Sequence, residues 1–161
     1  MKPDEEPAMT PEEKLTALGL TLPEAPIPVA NYVPYRWAGN LLFLSGQGPK
    51  RLDGTYRPGR LGRDISIEEA YEEARLTGLN LLAVAKSALG ELNRIEAVIK
   101  LLGMVNAEAD FSDHPKVING CSDLLVDVLG DAGRHARSAV GMGSLPNRMA
   151  VEIEAILLVR T

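Results

Sequence analysis

Three charged residues interrupt otherwise apolar stretches near the end of the chain: Arg137 in ARSAVGM, and Glu152 and Glu154 in VEIEAILLV. A buried charge without a partner costs far more than a surface one, so charges in such stretches need either a counter-ion or a function. Glu152 and Glu154 are two apart, which on a strand sends both side chains to one face and Val151, Ile153 and Ala155 to the other. The guanidinium of Arg137 is a planar fork that matches a carboxylate, whether from the protein itself in a structural ion pair or from a ligand. On spacing alone the structural ion pair is the simpler account.

The other reactive residue types carry less. His114, His135 and Cys121 fall at no metal-ligand spacing, so no metal site is expected. Ser45-Gly46-Gln47-Gly48 follows a strand-like run but lacks the glycine spacing of a nucleophile elbow and the lysine-hydroxyl pair of a phosphate loop. Its glycines suit a tight turn or close backbone approach to a ligand. Lys50, Arg51, Arg57, Arg60 and Arg63 mark a basic loop, read as solvated charge, with phosphate contact as the sharper alternative. Cys121, among apolar neighbours, reads as a core thiol; His135, between Arg134 and Arg137, reads as a surface histidine able to titrate at the mouth of a site.

These residues belong to a chain of 161, a length that suits one domain, with 45% apolar and 24% charged residues. Residues 1–9 read as a flexible tail and 10–161 as the domain. The single cysteine and an N-terminus without an apolar run point to a reducing, cytoplasmic setting, and no stretch is apolar enough for a membrane helix. A net charge of −5 and an aromatic content of 4% argue against broad nucleic-acid binding.

Capping patterns predict a short helix over residues 10–19, from Thr10-Pro11 with Glu13, and a long one from Ser66 with Glu69 to Gly90, with Gly78 as its weak point. Strands are expected over 29–37 and 40–46, turning at Ala38-Gly39-Asn40, and over 95–106, with a further helix over 115–129. Residues 136–142 and 150–160 read as a terminal strand pair turning at Leu145-Pro146-Asn147-Arg148, which would set Arg137 on the strand beside the two glutamates. After the leading helix the order is ββαβαββ, an α+β arrangement. Several strands are apolar on both faces, among them Leu41-Leu42-Phe43-Leu44 and Ile156-Leu157-Leu158-Val159. Two long helices can cover one face of the sheet, so a second copy of the chain is expected on the other, with a sheet that curls on itself as the plainer alternative.

Taken in order, Tyr32-Val33, the run Gly39 to Gln47 ending Ser45-Gly46-Gln47, Asn119, Ala136-Arg137-Ser138, Leu145-Pro146 and Val151-Glu152-Ile153-Glu154-Ala155-Ile156 resemble the YjgF/RidA family of reactive-intermediate deaminases, once labelled L-PSP endoribonucleases. The resemblance spans about residues 29–160. It implies a chorismate-mutase-like fold, a homotrimer with ligand clefts between subunits, and cofactor-independent hydrolysis of short-lived enamines and imines, such as 2-aminoacrylate, to a 2-oxo acid and ammonia. It casts Arg137 as the anchor for the substrate carboxylate and Glu152 as the residue that positions water and manages the proton. Tyr32, Ser45, Gly46 and Asn119 match positions lining the cleft. Ala139 stands where a cysteine is common in the best-studied branch, and the leading helix and the residues around 113–116 are additions to it. A non-catalytic protein binding a small carboxylate in the same cleft, an RNA-cleaving translation inhibitor using the basic loop, and chorismate-mutase chemistry are the competing readings.

Overall fold

The computed structural model describes residues 7–27 and 30–161, so the first six tail residues, Pro28 and Val29 lie outside it. A short helix, α1 (Pro11–Ala17), carries the expected capping box, in which Thr10 and Glu13 satisfy each other's backbone donors. The strands are β1 (Tyr35–Ala38), β2 (Leu41–Gln47), β3 (Ile95–Asn106), β4 (Ala136–Met142) and β5 (Val151–Val159), and the two long helices are α2 (Ile67–Leu89) and α3 (His114–Leu129). The first strand is shorter than expected and begins only at Tyr35. Pro34 just before it removes a backbone donor there.

The sheet order is β1-β2-β5-β3-β4, antiparallel except where β3 and β4 run parallel. The expected β4–β5 pair is therefore not formed, because β3 lies between them. α3 is the crossover that a parallel β3–β4 neighbour requires, and β5 fills the opposite edge of β3.

One face of the sheet is the core. Val151, Ile153, Ala155, Leu157 and Val159 of β5 are buried beneath α2 and α3, together with Leu42, Leu44, Val98 and Leu101. Gly78 and Gly120 mark where the two helices touch. A Cβ at Gly120 would strike the Tyr71 carbonyl oxygen, and one at Gly78 would lie 2.8 Å from Leu124 Cδ2. The weak point expected at Gly78 is thus a packing requirement: the helices approach closely only where a side chain is missing.

The opposite face has no cover among the described residues. Phe43 and Val140 are 40% and 39% exposed, and with Leu102 and Ile156 they form an apolar floor broken by Lys100, Ser138 and Glu154. The basic loop after β2 is not freely solvated, since three of its arginines form ion pairs with the body of the fold. Arg51 reaches the buried Glu73 at 2.6 Å, Arg57 reaches Glu69 at 2.8 Å and Arg60 reaches Glu108 at 2.9 Å. No helix among the described residues is long and apolar enough to cross a membrane.

Candidate functional site

β4 and α3 together hold Arg137. It pairs with Leu101, whose partner on β5 is Ala155, so all three residues project toward the helices. The guanidinium meets α3 there: Nη1 donates to Ser122 Oγ at 3.0 Å and Nη2 to the Pro115 carbonyl at 3.3 Å. Pro115, Asn119 and Ser122 recur at i, i+4 and i+7, one stripe of the helix, which places Asn119 on the stripe that meets Arg137. Ala139, two residues along β4, shares this face and packs on the core. Both anchors of the guanidinium are uncharged, and among the described residues no carboxylate lies within ion-pair distance of it.

His135 belongs to this cluster and is not the surface histidine expected. It is half-buried, with Nε2 at 2.9 Å from Ser122 Oγ and Nδ1 at 2.6 Å from the Gly133 carbonyl. Burial lowers its pKa most, the hydrogen bond to Gly133 opposes that, and the charge of Arg137 lowers it further. The Cys121 thiol beneath is fully buried and pushed up to about 12 by that burial, which makes it a core residue.

Glu152 lies on the other face. It pairs with Met104, which pairs with Val140, and its carboxyl stands over Gly46 so closely that a Cβ there would lie 3.0 Å from Oε1. Tyr32, Gly46, Gln47, Tyr56, Asn147 and Met149 enclose it in a cleft of about 330 Å³. Its pKa is raised, chiefly by burial and then by the neighbouring Glu154. Tyr56 is also raised, by burial, then by Tyr32 and Glu152. Ser45 donates to the Val33 carbonyl at 2.7 Å, a bond that pins the segment carrying Tyr32. Asn147 and Arg148 of the turn beside the cleft both have φ of +55°, a left-handed conformation that asparagine adopts more readily than arginine.

The expected site residues thus form two constellations rather than one. Arg137, Ala139 and Asn119 stand on the helix side, and Tyr32, Ser45, Gly46 and Glu152 on or beside the open face. The supposed ion pair between Arg137 and the glutamates is absent, since β3 separates the strands and the side chains leave opposite faces. Sequence reasoning missed Ser122 and Tyr56, because a serine within a helix and a tyrosine within a loop carry no pattern of their own. Among the described residues no three His, Cys, Asp or Glu side chains converge as a metal site would require.

A mixed β-sheet backed by two helices on one face is a chorismate-mutase-like scaffold, and here it carries an arginine bound by neutral groups and a carboxyl with a raised pKa. The family model described as "YjgF/chorismate_mutase-like, putative endoribonuclease" matches residues 12–153, and the chain belongs to that family. It is 41% identical over 144 residues to Protein TCP17 of Trypanosoma cruzi, covering 89% of this chain and 90% of that protein. Its structure is similar to that of Atu1372 from Agrobacterium tumefaciens, a protein of unknown function, with 46% identity, a TM-score of 0.87 and coverage of 93% and 92% of the two chains. It is also similar to a Shewanella oneidensis protein described as a "putative endoribonuclease", with 38% identity, a TM-score of 0.89 and coverage of 94% and 100%.

Proposed function

We propose that this chain hydrolyses reactive enamines and imines bearing a carboxylate to 2-oxo acids and ammonia, without a cofactor, in clefts shared by copies of the chain. One copy supplies Arg137, with Asn119 and the backbone at Ala139, and the next supplies Tyr32, Ser45, Gly46 and Glu152. The apolar open face of the sheet is the surface on which copies would associate as the homotrimer. The observation that carries the reading is the guanidinium of Arg137, immobilised by Ser122 and Pro115 yet given no protein carboxylate among the described residues. Its remaining N–H groups are free to take the carboxylate of a ligand in two parallel bonds.

With the carboxylate fixed, water adds to the imine carbon. Glu152 takes one proton from that water as the C–O bond forms and passes it to the imine nitrogen, giving a carbinolamine; it then moves the hydroxyl proton to the same nitrogen as the C=O bond forms, the C–N bond breaks and ammonia leaves. A carboxyl whose pKa is raised suits both halves of this exchange, because the protonated form is not prohibitively acidic. RNA cleavage draws less support, since Arg51, Arg57 and Arg60 already spend their charge on Glu73, Glu69 and Glu108. The test is ammonia release from 2-aminoacrylate generated in situ. The wild-type chain should accelerate it and Arg137→Ala should not; equal rates would remove Arg137 from the chemistry.

A further inference from the structure

Ser122 and His135 have no part in the chemistry above, yet they touch the guanidinium on which it depends. Three distances fix where their hydrogens lie. The Gly133 carbonyl can only accept, so at 2.6 Å His135 Nδ1 must carry a hydrogen. The depressed pKa leaves Nε2 bare at neutral pH, so the Ser122 hydroxyl donates to it at 2.9 Å. Ser122 Oγ in turn accepts from Arg137 Nη1 at 3.0 Å. The chain of donors therefore runs in one direction, from Arg137 to Ser122 to His135 to Gly133.

We propose that Ser122 and His135 are positioning residues for Arg137, and that through them its grip on a substrate carboxylate is coupled to a proton on His135. This rests on the reading of Arg137 as the carboxylate anchor. When His135 gains its second proton, Nε2 turns from acceptor to donor. Ser122 Oγ then receives two N–H groups, and its own hydrogen is released toward the ligand as one more donor. The imidazolium also adds a second positive charge beside the guanidinium. Both changes favour an anion, and by linkage the bound anion favours the proton.

Few other groups disturb this balance. Arg137 is the charged neighbour that acts on the imidazole, the Cys121 thiol on α3 stays protonated, and Arg134 is held by Asp131 at 3.4 Å in solvent. In a shared cleft Glu152 of the next copy would titrate as well, so the test separates the two.

Pyruvate affinity of the full chain, measured calorimetrically, should be about three- to tenfold tighter near pH 5.5 than near pH 7.5, a range in which pyruvate stays ionised. His135→Asn keeps a donor for Gly133 but is too short to reach Ser122 and cannot titrate; it should lose the gain between the two pH values. Ser122→Ala should bind more weakly at both pH values and keep only the part of the gain that the imidazolium charge supplies. In Glu152→Gln the gain should persist. A gain that survives in His135→Asn, or one absent from the wild type, would overturn the proposal. Should His135→Asn fail to fold, imidazole NMR of the wild type decides the matter, since a His135 proton affinity unmoved by pyruvate overturns it equally. Ammonia release that depends on Arg137 alongside pH-independent pyruvate affinity would sink this coupling alone. The reverse pattern would keep the coupling and remove the deaminase.

Discussion

Gly46→Ala separates the needs of the fold from those of the proposed chemistry at a single atom. Gly46 is not among the left-handed glycines of the chain, so alanine meets no backbone penalty there. Its Cβ would lie 3.0 Å from Glu152 Oε1, 3.2 Å from Cδ and 3.3 Å from Cγ, closer than such contacts normally settle. The neighbour is the end of a flexible side chain, so the carboxyl yields by a few tenths of an ångström and the backbone stays in place. Stability should consequently change by less than about 1 kcal/mol, with the lost chain entropy of glycine offsetting part of the crowding. The proposed reaction depends on where Glu152 holds a water. A full ångström of misplacement costs about 100-fold in rate, so a few tenths should lower kcat about three- to tenfold. KM should move little, because Arg137 is untouched. Steady-state ammonia release from 2-aminoacrylate, run beside thermal unfolding, reads both effects. Wild-type kcat in a normally folded Gly46→Ala protein would refute the placement of Glu152 in the chemistry.

Other perturbations test the remaining links. The pKa of Glu152 is raised by folding, so the protonated form is the one the fold favours; stability from this group is fully present at acid pH and lost as pH rises through the raised value. Glu152→Gln should therefore be more stable than wild type at pH 7, equal to it near pH 4, and inactive, as thermal melts across that range would show. Arg137→Ala should lower kcat/KM about 100-fold or more, the cost of two charge-assisted hydrogen bonds, without a matching loss of stability. Gly120→Ala forces α3 off the Tyr71 carbonyl and should cost several kcal/mol in chemical denaturation, in the range of overpacked cores or beyond. Cys121, with its thiol at about 12, should resist alkylation at pH 8 in the native protein and react promptly in denaturant.

The elements were legible where local rules decide them. Thr10 with Glu13 and Ser66 with Glu69 are capping boxes in both sequence and structure, and the strand over 95–106 has the expected bounds. Pairing was not legible in the same way. The short turn at Leu145–Arg148 suggests a hairpin, since strands adjacent in sequence usually pair, but β3 is the longest strand and takes a partner on each side. The basic loop read as solvated because Glu73 is silent in sequence: its acceptance of Arg51 depends on which face of α2 meets the loop. The same holds for Ser122, which acquires meaning only once β4 lies beside α3.

That one misread pairing decides how a site can exist at all. A β4–β5 hairpin would have set Arg137 on the strand next to Glu152, and one protomer could have held substrate and water together. With β3 between them and α3 packed over β4, any side chain leaving β4 toward the helices meets α3, which is why Arg137 ends on Ser122 and Pro115. Glu152 leaves the sheet on the far side, where Gly46 admits it because it has no side chain. No rotamer change carries either group through a sheet whose core positions are filled by Leu101, Ile153 and Ala155. The two functions proposed for these residues can meet only if the open face of one copy is brought to the β4 edge of another. Chemistry and association are then one requirement. A variant that dissociates, such as one with a charge at Phe43, should keep its fold and its Arg137 geometry and yet lose ammonia release entirely.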